Sequence, residues 1–544
     1  MPINPNSALF LFLLKESPRE LKKMGLLALL VGMTNTLLIG LINTTAKDVS
    51  TGKEVTIQFF EFSALLIAFL IFTQRSNREN ISNTNALIYR FKIRIISQAF
   101  KSNLTKIDKI GRDYVMDVLA RDTQLVSSSM SALLSAFQSI STLFFLILYM
   151  STVSITASLI ILIASVFIFT IGLTELSKLT HMLQTVWSKE AEVTGIYSAF
   201  LNGYKEVKMD SRRALAITQE LVNESKKITQ SKTKILIALT NFFNYLQGLL
   251  YLVVGAMIFV IPVFASDFSA QVTTAAATAL FLTGSVTAVI MNISNISMAN
   301  VAAKSLSDLV TQLELKETEN AQPGEARFSI VDSIELADIT YTYRVDDGSK
   351  TPFSIGPIDY IFEKGKVYFI RGNNGSGKTT FMRVLIGLYQ PCSGRLLVNG
   401  SPIAEPANAS YRDIFSVVFS DFYLFKKLYG LPKCDDKEVQ ELLSLFQMED
   451  KVIIKNGEFS DLNFSTGQRK RLALLVALLE KKQFIVLDEW AADQDPEFRQ
   501  EFYETIIPKL REMGKTVIAI THDQQYYEIA DHVIYMTNGK PASV

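Results

Sequence analysis

Two kinds of apolar patterning divide the chain. Up to about Ser305, hydrophobic residues run on without charge; beyond it they come in short runs separated by Gly, Asp and Asn. A helix rises 1.5 Å per residue, so about 20 apolar residues cross the roughly 30 Å core of a bilayer. Met24–Asn43 meets that length without a charge, and Val55–Thr73 meets it with Glu61 as its one ionisable residue. Thr123–Thr174 is uncharged and too long for one span, and polar Ser151–Ser154 divides it into Ser131–Met150 and Ile155–Leu173. Thr240–Val263 and Val272–Asn295 complete six predicted spans. The connections near 75–130 and 175–238 keep a helical period, which predicts helices continuing past the membrane. Ala8–Leu14, followed by Lys15, Arg19, Lys22 and Lys23, predicts a short helix in the membrane surface.

The loops orient these spans. Residues 75–122 hold an excess of Lys and Arg, whereas Thr44–Glu54, Ser151–Ser154 and Ala265–Gln271 carry almost no net positive charge. The positive-inside rule therefore places both termini in the cytosol. The N-terminus lacks a basic start and a small-residue cleavage site of the secretory kind. Polar residues 315–332 read as a linker between a membrane domain, 1–314, and a soluble domain, 333–544, in which strand and helix patterns alternate. The expected fold class is an all-α six-helix transmembrane domain followed by an α/β domain.

Composition adds little beyond this. The chain has 544 residues, too many for one typical domain, and a net charge of +1 gives no bulk field for a nucleic-acid partner. Both cysteines, Cys392 and Cys434, fall in the soluble half, in keeping with a reducing cytosol. His181 and Trp187, in a cytosolic helical stretch, read as structural.

The soluble half carries the chemistry. Gly372-Asn373-Asn374-Gly375-Ser376-Gly377-Lys378-Thr379, followed by Thr380, fits G-x-x-x-x-G-K-[ST] between an apolar strand pattern (Val367–Ile370) and a helix pattern. Backbone N–H groups of such a loop curl around phosphates at a helix N-terminus. Lys378 would reach the β- and γ-phosphates of a nucleotide, and the Thr379 hydroxyl would bind Mg²⁺. Phe484–Leu487 reads as a buried strand delivering Asp488 and Glu489 to the ligand edge of the sheet. Asp488 suits Mg²⁺, and Glu489 suits orienting or deprotonating an attacking water. Ser465-Thr466-Gly467-Gln468 precedes a helix pattern about twenty residues before Asp488. Ser465 fits an N-cap, and Gly467 allows close approach of an anion.

Together, the phosphate loop, this signature and the Asp-Glu strand end resemble the ATPase domain of ABC transporters, and the six-span half resembles the exporter arrangement. The resemblance implies two ATPs held between two such domains, each phosphate loop facing the other chain's signature, and hence a homodimer in a bacterial cytoplasmic membrane. It implies that His522 is the switch histidine, that Tyr343 stacks on adenine with Tyr341 as competitor, and that Asp495 closes the loop used for cross-talk. Where most family members place a metal-reaching Gln, this chain has Ser420, followed by Asp421, and Phe464 and Thr466 replace the usual Leu and Gly. The runs Phe464–Leu474 and Asp488–Arg499, with Trp490, Asp493 and Gln494, resemble the cyclic-peptide exporter branch, as does Leu201–Lys208. That branch includes exporters of lipopeptide toxins, siderophore precursors and lasso-peptide microcins. The cargo expectation is therefore a peptide or peptide-like metabolite. It would meet Asn241, Asn244, Tyr245, Gln247, Asn292 and Asn295 on the spans, with membrane lipids around them. A lipid or multidrug exporter and a non-transporting regulatory membrane ATPase are the rival readings.

Overall fold

The computed structural model describes residues 8–260, 272–314, 328, 330–343, 352–403, 409–431 and 435–542. Most of the predicted linker, the connection 265–271, the end of the fifth predicted span and Cys434 lie outside the described residues, as do the side chains of His181 and Trp187. The chain forms two compact units, residues 1–96 with 112–312, and residues 97–111 with 313–544.

In the first unit, six helices are long and apolar enough to cross a membrane, among the described residues. They are α1 (Pro18–Ser50), α2 (Thr56–Phe100), α3 (Thr123–Val153), α4 (Ile155–Asn202), α5 (Ser211–Phe259) and α6 (Val272–Glu314). The break between α3 and α4 falls at Ser154, whose extended backbone and hydroxyl cap the start of α4. Helices α2, α4 and α5 run 45 to 49 residues, well beyond a bilayer's thickness. α1 lies along α3, where Gly32 lets the backbones close: an added Cβ would collide with Ser141. The short helix Ala8–Glu16 buries Leu9, Phe12 and Leu13, with Phe12 4.5 Å from the Phe91 ring and the Leu9 N–H donating to Asn300 Oδ1. Phe10, Leu11 and Leu14 stay exposed on the other face. The predicted surface helix is thus docked on its own unit along one side.

The second unit is built on a six-stranded sheet in the order β12-β11-β3-β10-β9-β6. Its strands are β3 (Val367–Gly372), β6 (Phe415–Val418), β9 (Phe484–Asp488), β10 (Thr516–Ile520), β11 (His532–Thr537) and β12 (Lys540–Ala542). All pairings are parallel except β11 with β12. An antiparallel sheet of β1 (Ser333–Thr342), β2 (Ser354–Glu363), β4 (Ser393–Val398) and β5 (Ser401–Pro402) and the pair β7 (Ile454–Lys455) and β8 (Glu458–Phe459) complete it.

The continuous apolar runs of β3, β9 and β10 make sense because a parallel strand is covered on both faces. Phe369, Ile485, Leu487, Val517 and Ala519 feed one core, which also holds the helix signature residues Leu472, Leu475 and Leu479. Tyr368, Ile370, Phe484, Val486, Ile518 and Ile520 feed the other, with Phe381 and Leu385. The segment 97–111 belongs to this unit: Leu104 packs at the edge of the second core, and Lys106 Nζ donates to the Leu313 carbonyl at 3.1 Å.

Candidate nucleotide site

β3 ends in the phosphate loop, and α7 (Lys378–Leu385) follows it. Gly377 caps that helix at φ 97°, a left-handed conformation, and a Cβ there would sit 2.8 Å from Ile355 Cγ2. Lys378 is 5% exposed, and its Nζ donates to the carbonyls of Gly372 (2.8 Å) and Asn373 (3.2 Å). The ammonium is thereby held inside the loop. The Ser376 hydroxyl is buried and has no hydrogen-bond partner among the described residues. An open cavity of about 380 Å³ is lined by Phe353, Asn374–Thr380 and Glu489.

The two candidate tyrosines separate. Tyr341 is buried and stacks on Tyr389, 5.0 Å between centroids. Tyr343 is half-buried, with its hydroxyl 3.1 Å from Thr380 Oγ1. Phe353 lies 6.5 Å from Tyr343 and lines the cavity. Sequence reading missed it, because it joins the loop only through the pairing of Tyr343 N–H to the Phe353 carbonyl across β1 and β2.

The parallel register of β9 on β10 sets Asp488 opposite Ile520, with His522 just beyond the strand. Asp488 is 2% exposed, and burial, reinforced by the charge of Glu489, pushes its carboxyl above the usual carboxylate range. Its Oδ2 accepts from Ser420 Oγ at 3.0 Å, whereas Oδ1 is buried and unpartnered among the described residues. A buried carboxylate oxygen without a donor fits a divalent cation. Asp488 and Thr379 are the residues that would hold it, and Ser420 reaches the site through the Asp488 carboxylate. Glu489 adopts a left-handed backbone (φ 50°, ψ 39°), and its Oε1 lies 3.5 Å from His522 Nε2.

The signature opens α8 (Thr466–Leu479). Ser465 and Gln468 form a reciprocal capping box, with both hydrogen bonds at 3.3 Å. Gly467 is constrained from inside its own unit: an added Cβ would lie 2.5 Å from the Asp493 carbonyl oxygen. Two cations of this helix that sequence reading left without a role are buried here. Lys470 pairs with Asp493 at 2.7 Å. Arg471 donates to Gln494 Oε1 (2.9 Å) and Asp495 Oδ2 (2.6 Å) and sits 3.4 Å from the Phe498 ring centroid. Asp495 caps α9 (Pro496–Glu501), and the Phe498 N–H, then Arg471, hold its carboxyl below the usual range. Its side chain is thus engaged within its own domain. None of Ser465–Gln468 or Asp495 lines the phosphate-loop cavity.

A family profile described as ABC transporter matches residues 355–492. The chain is 29% identical to the ATP-binding protein SyrD of Pseudomonas syringae pv. syringae over 94% of this chain and 92% of that one. It is 34% identical to the energy-coupling factor transporter ATP-binding protein EcfA1 of Streptococcus mutans serotype c, over 38% of this chain and 76% of that one. Among solved structures, a bacterial Atm1-family ABC exporter with ATP bound superposes with a TM-score of 0.78 at 17% identity, covering 97% of this chain and 94% of that one. The helical unit with six span-length helices and the ATPase unit share one chain. The protein therefore belongs to the ABC transporter family, with the fold of an ABC exporter and an ATPase domain that couples ATP hydrolysis to transport.

Proposed function

We propose that two copies of this chain act together to export a peptide or peptide-like metabolite across the bacterial cytoplasmic membrane, with both termini cytosolic. One observation carries the homodimer. The cavity at the phosphate loop has no signature residue in its lining, while Ser465 and Thr466 stand exposed at the start of α8. A second copy would bring the positive N-terminal end of this helix to the triphosphate.

In this reading Lys378 and the loop amides bind the phosphates, and Tyr343, with Phe353 beside it, takes the adenine. Mg²⁺, held by Thr379 and Asp488, supplies charge neutralisation when bound. Glu489 accepts the proton of the water attacking the γ-phosphorus, and His522, in reach of the Glu489 carboxylate, orients the water and the γ-phosphate. ATP binding favours the closed pair, and hydrolysis releases it. The segment 97–111, which begins in the last turn of α2 and is grouped with the ATPase unit, would carry that motion to the spans.

Two features support the cargo. The Trp490-Ala491-Ala492-Asp493-Gln494 run resembles the cyclic-peptide exporter branch. In addition, α5 exposes Asn241, Asn244 and Tyr245 at helical spacing, with Gln247 donating to the Tyr251 hydroxyl at 3.2 Å. Amide groups are costly against lipid, so such a stripe belongs in a cavity or against the second copy. Asn292 supports this less, because it is spent on Ser135 Oγ and the Ala288 carbonyl. The test is ATP-dependent uptake of peptide products of neighbouring genes into inverted vesicles. Accumulation supports the reading. Stimulation of ATPase by lipids or hydrophobic drugs, with no peptide transported, would replace it with a lipid or multidrug exporter.

A further inference from the structure

The turn that carries Glu489 is gripped from α8 by a residue to which the reaction scheme gives no part. Lys470 is 2% exposed, and its ammonium lies between two acceptors, the Glu489 carbonyl at 2.8 Å and Asp493 Oδ2 at 2.7 Å. In return, the indole N–H of Trp490, the residue after Glu489, donates to the Lys470 carbonyl at 2.8 Å. On the opposite side the Glu489 N–H donates to the Ile520 carbonyl at 3.2 Å. The peptide units around Glu489 are therefore held from both sides.

Glu489 needs such holding. A left-handed backbone is unfavourable for a residue with a Cβ and persists only where the surroundings over-determine it. The backbone angles at Glu489 set the direction of its Cα–Cβ bond, and so where its carboxylate stands relative to the cavity and to His522. Packing alone would be served better by an apolar side chain, because burying an ammonium is costly unless it is paired. Asp493, nearly half exposed, orients that ammonium from the solvent side.

We propose that Lys470 is a positioning residue for the general base: it fixes the carbonyl of Glu489 and thereby aims the carboxylate at the attacking water. This rests on Glu489 being that base.

The test uses the full-length purified protein and steady-state ATP hydrolysis. Lys470→Met lowers kcat about tenfold or more, the scale of losing a charge-assisted hydrogen bond, while KM for ATP changes less than about twofold. Lys470→Gln keeps a donor and returns kcat to within about threefold of wild type. Trp490→Phe keeps an aromatic ring and deletes the reciprocal donor, and lowers kcat in the same direction by about threefold. An unchanged kcat in Lys470→Met, equal losses in the Met and Gln variants, or kcat and nucleotide affinity falling together would overturn the proposal. Glu489→Gln run alongside separates the two ideas. If it is inert and Lys470→Met is normal, only the positioning role falls; if it hydrolyses ATP like wild type, the base assignment falls and takes this role with it.

Discussion

Gly467→Ala separates two reasons for a glycine in the signature. A methyl there would sit 2.5 Å from the Asp493 carbonyl oxygen, a backbone atom that cannot swing aside. Ordinary carbon–oxygen contact begins near 3.3 Å, so about 0.8 Å must be opened. The turn resists that opening because Gln494 Nε2 donates to the Gly467 carbonyl at 3.1 Å and Arg471 holds Gln494 and Asp495. Overpacking of this kind costs about 1–3 kcal/mol, and the better helix propensity of Ala returns up to about 1 kcal/mol. The net loss lies between about 0 and 3 kcal/mol, and its midpoint near 1.5 kcal/mol corresponds to roughly 3–6 °C for a domain of this size. The assay is the unfolding temperature of nucleotide-free protein followed by intrinsic fluorescence, with ATPase activity measured alongside. A packing glycine lowers the melting temperature with no nucleotide present. If that temperature stays put while ATPase activity collapses, the glycine serves only the approaching phosphate and the steric reasoning is wrong.

The other expectations concern single groups at the site. Glu489→Gln retains ATP binding and loses turnover by at least about a hundredfold, checked by nucleotide binding and phosphate release. Lys378→Ala weakens ATP binding and also frees the Gly372 and Asn373 carbonyls, and retained affinity would count against the phosphate-loop role. Ser420→Ala removes the donor to Asp488 Oδ2 and raises the Mg²⁺ concentration for half-maximal hydrolysis about tenfold, read from a Mg²⁺ titration of the ATPase rate. Asp495 is held below the usual carboxylate range in the folded state, so its contribution to stability is present above about pH 4 and is lost as pH falls through the lower folded value. Thermal melts between about pH 5 and 3 should therefore fall more steeply for wild type than for Asp495→Asn, and parallel curves would deny Asp495 that role.

Local pattern was enough for much of this protein. Charge-free runs of bilayer length can be satisfied only by helices that bond their own backbone, so α1 to α6 are legible as periodicity. The strand–loop–helix setting of Lys378 and the apolar run into Asp488 carry the site's chemistry in consecutive residues, because a parallel strand buried on both faces must be apolar throughout. Contacts between residues distant in sequence were decided only by the tertiary structure. β1 pairing on β2 brings Phe353 beside Tyr343, and stacking on Tyr389 buries Tyr341 while Tyr343 stays half-buried. The docking of α8 on the turn after β9 ties Trp490 and Asp493 to Lys470, and Gln494 to Gly467, and gives Gly467 a steric reason to be glycine. Periodicity records which face of an element is buried, and it holds no record of what that face is buried against.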